Sequence, residues 1–265
     1  MARLFIALVC LVLALGEARA RGPVDVELVL AVDVSFSMDP EEQRLQRDGY
    51  IEAFRDPEVL QAIANGIHGR IAITYIEWAG AGRTRTLVPW MAISNRATVE
   101  EFVERLSREP FSRLSRTSIS TGLIAAMEAF NASPFEPVRR VIDVSGDGPN
   151  NDGPRVVPVR DAIVEQGVVI NGLPIVLNRQ TSGRGNWGDI PNLDDYYEDC
   201  VIGGPGSFSI PIRERSEFVP ATRRKILMEI ANLVPDREPR VMRASTAPRV
   251  SCEIGEQMFR RWTDR

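Results

Sequence analysis

Glu27-Leu28-Val29-Leu30-Ala31-Val32-Asp33-Val34-Ser35-Phe36-Ser37 is the stretch that decides how this chain is read. An apolar run of strand length ends in a carboxylate, and hydroxyls follow at alternate positions. Alternate residues of a strand share a face, so Asp33, Ser35 and Ser37 converge just past its carboxyl end. Hard oxygen ligands gathered there suit a divalent cation, Mg²⁺ first, with Mn²⁺ and Ca²⁺ as alternatives. That end of a strand is also where ligands bind in open α/β sheets.

Outward from this strand, strand and helix signals alternate, the pattern of a mostly parallel sheet covered on both faces. Helical spacing runs from Glu41 to Ala64, with Pro57 breaking it. Arg70–Trp78 and Thr84–Met91 read as strands joined by Gly80-Ala81-Gly82, an antiparallel hairpin at the sheet edge. Asn95–Ser107 and Ser118–Phe130 are helical patterns. Arg140–Val144 is a central strand that ends in Ser145-Gly146-Asp147-Gly148. Val156–Gln166 follows as a helix and Val168–Leu177 as a strand, in which Asn171-Gly172 suggests a bulge or turn. Asn178–Gly188 reads as a long polar loop and Asp194–Cys200 as a short helix. Ser207–Ile212 is expected as the last strand and Phe218–Leu233 as the last helix.

Residues 1–20 read as an export signal: Arg3, an apolar core from Leu4 to Leu15 too short for a bilayer, then Ala18-Arg19-Ala20. The expected product is exported to the periplasm or the medium, with no membrane span in the mature chain. About 245 residues then remain, enough for one large α/β domain with an extension. The 44% hydrophobic content supplies a core, and a net charge of −4 with interspersed signs argues against a general nucleic-acid surface. Cys10 falls in the signal, leaving Cys200 and Cys252, and in an oxidising compartment these read as one disulfide tethering the Pro- and Arg-rich tail.

Three segments carry the chemistry: Asp33-Val34-Ser35-Phe36-Ser37, Arg116-Thr117-Ser118-Ile119-Ser120-Thr121, and Val144-Ser145-Gly146-Asp147-Gly148. In order and placement they resemble the von Willebrand factor A (VWA) domain and its metal-ion-dependent adhesion site (MIDAS). The likeness covers Val24 to Leu233, and residues 234–265 form the extension. It implies a three-layer, doubly wound, Rossmann-like α/β fold. The implied sheet has six strands in the order 3-2-1-4-5-6, with one antiparallel edge strand. It also implies a metal site of Asp33, Ser35, Ser37, Thr117 and Asp147, with Ser118 or Thr121 as the register alternatives for Thr117. The implied role is metal-dependent recognition of a protein partner that supplies an acidic residue to the ion. Asp199-Cys200-Val201-Ile202-Gly203-Gly204 and Val141–Gly148 resemble a group of uncharacterised exported bacterial proteins of this class.

The competing readings are a metal-dependent hydrolase or phosphatase on a similar sheet, and a structural accessory subunit with an unused site. Enzyme chemistry is poorly served by these residues. Ser35 stands where an aspartyl phosphotransferase has its second acid, His68 is the sole histidine, and no nucleophile elbow surrounds a serine. Asp143 is expected to face a helix or a water, or to support the site. Trp187, Asp189, Asp194, Asp195, Tyr196 and Tyr197 read as a surface loop with a packed aromatic cluster or a partner contact. Arg223-Arg224-Lys225 reads as the wet face of the last helix.

Overall fold

The computed structural model describes residues 22–177, 190, 192–233 and 249–263. The expected signal at 1–20, the whole polar loop at 178–188 with Trp187, Asp189, and the tail at 234–248 lie outside these. A sheet of five strands runs in the order β3-β2-β1-β4-β5. Its strands are β1 (Pro23–Asp33), β2 (Ile71–Trp78), β3 (Thr84–Ile93), β4 (Glu136–Gly146) and β5 (Val169–Pro174). Central β1 pairs in parallel with both β2 and β4, and β3 alone is antiparallel, on β2.

Helices cover both faces. They are α1 (Pro40–Arg55), α2 (Pro57–Ala64), α3 (Arg96–Arg108), α4 (Ile119–Asn131), α5 (Val156–Val164), the short α6 (Leu193–Tyr196), α7 (Phe218–Ala231) and α8 (Ile254–Thr263). A π-helical turn, Tyr197–Val201, continues α6. Pro57 divides the first long helical pattern as expected, and Asp56 caps the second piece by accepting from Glu58 N at 2.8 Å. Among the described residues no helix is long and apolar enough to cross a membrane.

The alternation of β1 sorts the core. Val26, Leu28, Leu30 and Val32 pack with Tyr50, Phe54, Phe102, Phe218 and Ile226 on the face of α1, α3 and α7. Val29 and Ala31 pack on the opposite face with Leu123, Val144, Ile170, Tyr196 and Tyr197. Asp33 has the parity of Val29 and Ala31, so it turns toward the α4 and π-helical side.

One strand departs from expectation. Ser207–Ile212 does not enter the sheet as a sixth strand. It lies beside β5 through isolated parallel bridges, Gly172 to Ser209 and Ile175 to Ile212. Pro174 lacks the N–H that a continuous ladder needs between the Gly172 and Val176 donors, and the side chain of Asn171 takes the Phe208 N–H at 3.1 Å. Asn171-Gly172 makes no bulge: β4 and β5 stay in register through both residues. Gly172 is small because a Cβ there would come 2.7 Å from the Tyr197 ring.

Candidate metal site

Asp33 ends β1, fully buried, and its Oδ1 accepts the Ser35 N–H at 2.7 Å. That turn brings the hydroxyls round: Ser35 Oγ lies 2.8 Å from Ser37 Oγ, and Ser37 Oγ donates to Asp147 Oδ1 at 2.6 Å. Because Ser37 spends its proton on Asp147, Ser35 is the donor to Ser37. The second oxygen of Asp33, Oδ2, is buried and has no hydrogen-bond partner.

The middle loop is held against the first by its backbone. Leu114 N donates to Val34 O at 2.9 Å, and Arg113 donates to the carbonyls of Phe36 and Met38. Arg116 adopts φ 70°, a left-handed turn that reverses the chain into α4. Thr117 is buried, and its N–H donates to Asn151 Oδ1 at 3.0 Å while its carbonyl accepts from Asn151 N at 2.8 Å. Thr117 thereby joins the Asp147 loop through the main chain. Ser118 caps α4 and shares a 2.7 Å contact with Thr121 Oγ1, so these hydroxyls serve the helix end.

The structure therefore brings Asp33, Ser35, Ser37 and Asp147 together through side-chain contacts, and ties Thr117 to the same rim by backbone. Burial, and next the charge of Asp147, push the Asp33 carboxyl well above the usual carboxylate range. Two acids this close, one with an orphaned oxygen, are electrostatically incomplete and suit a cation. Gly146 leaves room for this: a Cβ there would meet Asp33 Oδ2 at 2.8 Å and Tyr197 Oη at 2.9 Å. The donor set is oxygen alone, with two carboxylates and three hydroxyls, a chemistry suited to Mg²⁺ or a similar hard ion. Among the described residues no group of three or more His, Cys, Asp or Glu side chains forms a conventional metal cluster.

Sequence reasoning missed Tyr197. Its ring lies under the site, and its buried hydroxyl has no partner. Burial, and then the charges of Asp33 and Asp147, hold that phenol well above its ordinary range, so it stays protonated as a donor. Tyr196 and Tyr197 pack edge to face, so the expected aromatic cluster is present, but it is buried in the core on a helical turn and not on a surface loop. The local signal was weak, because two adjacent tyrosines in an acidic stretch show no period.

Asp143 belongs to the opposite face. There it meets Lys225 Nζ at 2.7 Å and accepts from Tyr50 Oη at 3.1 Å, while Lys225 also reaches Glu229 Oε1 at 2.5 Å. Lys225 is fully buried. This corrects the expectation of a wet face: Arg224 is exposed, but Lys225 points inward to two carboxylates. His68 is exposed at the far end of the sheet, where its N–H donates to Asp25 near the start of β1. Cys200 and Cys252 are joined, as expected, with Cα atoms 5.5 Å apart.

Comparison with known proteins agrees with this fold. No curated protein sequence matches the chain. Among solved structures, a von Willebrand factor type A protein from Catenulispora acidiphila aligns with TM-score 0.56 at 12% identity, over 78% of this chain and 43% of its own. Proximal thread matrix protein 1 from the mussel byssus, solved with a zinc-occupied MIDAS motif, aligns with TM-score 0.55 at 14% identity, over 78% and 46%. The pilus adhesin SpaC from Lactobacillus rhamnosus GG gives TM-score 0.55 at 12% identity, over 78% and 30%. The chain spans less than half the length of each, and at such identity the likeness establishes the VWA fold. The family model described as "Protein of unknown function (DUF1194)" matches residues 23–234, and this chain belongs to that family.

Proposed function

We propose that the chain binds a divalent cation, Mg²⁺ first, at Asp33, Ser35, Ser37, Thr117 and Asp147, and uses it to recognise a protein partner. The observation that carries this reading is the buried carboxylate pair, linked through Ser35 and Ser37, with Asp33 Oδ2 left unpartnered. Neutral hydroxyls and two acids cannot fill an octahedral shell by themselves, so a bound ion would offer a position to an acidic side chain of a partner. The protein's own part is to hold the oxygens and to keep the site dry from below with Tyr197.

Recognition without catalysis is the reading that fits Ser35 standing two residues after Asp33, where a phosphotransferase carries its second acid, and His68 lying at the far end of the sheet. The adhesin and matrix proteins that share the fold point the same way. The mussel protein's zinc-occupied motif supports a divalent ion at this position of the fold. We read the chain as exported to the periplasm or beyond, in keeping with the disulfide. The test is capture of a partner from the native envelope by immobilised protein. Capture that is lost with a chelator and with Ser35→Ala supports the reading. Capture indifferent to metal favours a structural accessory role, and phosphoester hydrolysis that disappears in Asp33→Ala would establish an enzyme instead.

A further inference from the structure

Asn150, three residues after Asp147, is a fully buried knot between the site and a segment beyond the family match. Its Oδ1 accepts from Ser120 N at 3.1 Å, at the start of α4. Its N–H donates to Tyr196 Oη at 3.1 Å, and its Nδ2 donates to Glu256 Oε1 of α8 at 2.9 Å. Close packing reinforces the contact: a Cβ on Gly255 would lie 2.0 Å from Asn150 O. Arg155, on the same loop, pairs with Glu253 at 3.0 Å. The Arg116 guanidinium, next to Thr117, lies 4.4 Å over the Phe259 ring. α8 thus grips two of the three loops that make the site.

A helix of ten residues is marginal alone. Cys252, just before α8, is bonded to Cys200 on the turn that also carries Tyr197 under Asp33. One covalent bond therefore fastens both the helix on the rim and the tyrosine below it.

We infer that the Cys200–Cys252 disulfide and α8 form a brace that fixes the 147–155 loop, so that ion affinity follows the redox state of this bond. The inference rests on the metal reading above and adds its regulation. The step is thiol–disulfide exchange with a dithiol reductant. A thiolate of the reductant attacks one sulfur and the S–S bond breaks. The reductant's second thiol then resolves the mixed disulfide. Two electrons and two protons end on Cys200 and Cys252, and the reductant leaves as its own disulfide.

The test uses the full chain, titrated with Mg²⁺ by calorimetry before and after dithiothreitol, with amide exchange followed at Asn150 and Asn151 and far-UV dichroism confirming the fold. The expected result is affinity weaker by about tenfold or more, as for the loss of supporting contacts around a metal, and faster exchange at both amides. A Cys200→Ser, Cys252→Ser variant should match the reduced protein and ignore the reductant. In the oxidised protein Glu256→Ala should weaken binding, whereas Glu256→Gln, which keeps an acceptor oxygen for Asn150, should preserve it. Equal affinity and equal exchange in oxidised and reduced protein overturn the inference. Exchange that responds while the oxidised protein takes up no ion overturns the metal reading, and the redox-dependent affinity with it.

Discussion

Ser37 donates its hydroxyl proton to Asp147 Oδ1 at 2.6 Å, across a sequence separation of 110 residues. This bond closes the first and third loops of the rim over the ends of β1 and β4. Asp33 lies buried beside the same carboxylate, and after burial itself the charge of Asp147 is the next cause that raises its pKa.

The first prediction concerns that charge. Asp33→Asn removes a buried acid whose leading electrostatic neighbour is another acid. The metal-free variant is expected to melt at or above the wild-type temperature. It should also lose the stabilisation that Mg²⁺ gives wild type, about 2.7 kcal/mol at a hundredfold excess over Kd. Thermal unfolding with and without Mg²⁺ reads both effects, and a variant still stabilised by Mg²⁺ would speak against Asp33 as a ligand.

Gly146→Ala is the steric counterpart. The added methyl would press on Asp33 Oδ2 and Tyr197 Oη together, so both must move. A stability loss of about 1–3 kcal/mol is expected, with ion binding weakened beyond it. Gly172→Ala would touch the Tyr197 ring, Ile202 and Ser209 but none of the proposed ligands, and should cost stability with a smaller effect on the ion. Urea unfolding and calorimetry on both variants separate the two effects.

The buried lysine gives a third. Lys225→Met strands Asp143 and Glu229 in the core, and truncating one partner of a buried charge set costs about 3–5 kcal/mol. Adding Asp143→Asn and Glu229→Gln removes the stranded charges and should recover most of the loss. If the single and triple variants unfold at the same denaturant concentration, the network is not the source of the effect.

Glu229 makes stability depend on pH. Burial raises its carboxyl from 4.5 to about 7, against the pull of Lys225 and with the repulsion of Asp143. Between these values the native state holds a proton that the unfolded chain has released. The contribution is therefore fully present below 4.5 and is lost as pH rises through about 7. Glu229→Gln should flatten that decline, by about 3 kcal/mol at most. Denaturation midpoints from pH 4 to 8 for both proteins measure the difference.

Much of this was legible in the chain. The unbroken apolar run from Leu28 to Val32 marked a strand buried on both faces, and the carboxylate and hydroxyls that follow it marked the end where the site lies. The cysteine count gave the disulfide, and Pro57 divided the first helices. Other features were set by tertiary partners that no local pattern displays. Lys225 looks like its exposed neighbour Arg224 until Asp143, far away in sequence, is packed against it. Tyr197 becomes part of the site because Gly146 and Gly172 leave room for its ring and hydroxyl. Ser207–Ile212 has strand composition, but Pro174 on β5 keeps it from completing a ladder.

The central claim is that Asp33, Ser35, Ser37, Thr117 and Asp147 hold one divalent ion. Calorimetric titration of the folded, oxidised chain with Mg²⁺, beside Asp33→Ala, tests it most directly. Uptake of one equivalent by wild type and none by the variant is the predicted result. Absence of uptake by wild type with Mg²⁺, Mn²⁺ and Ca²⁺ alike, or equal uptake by both proteins, would contradict it.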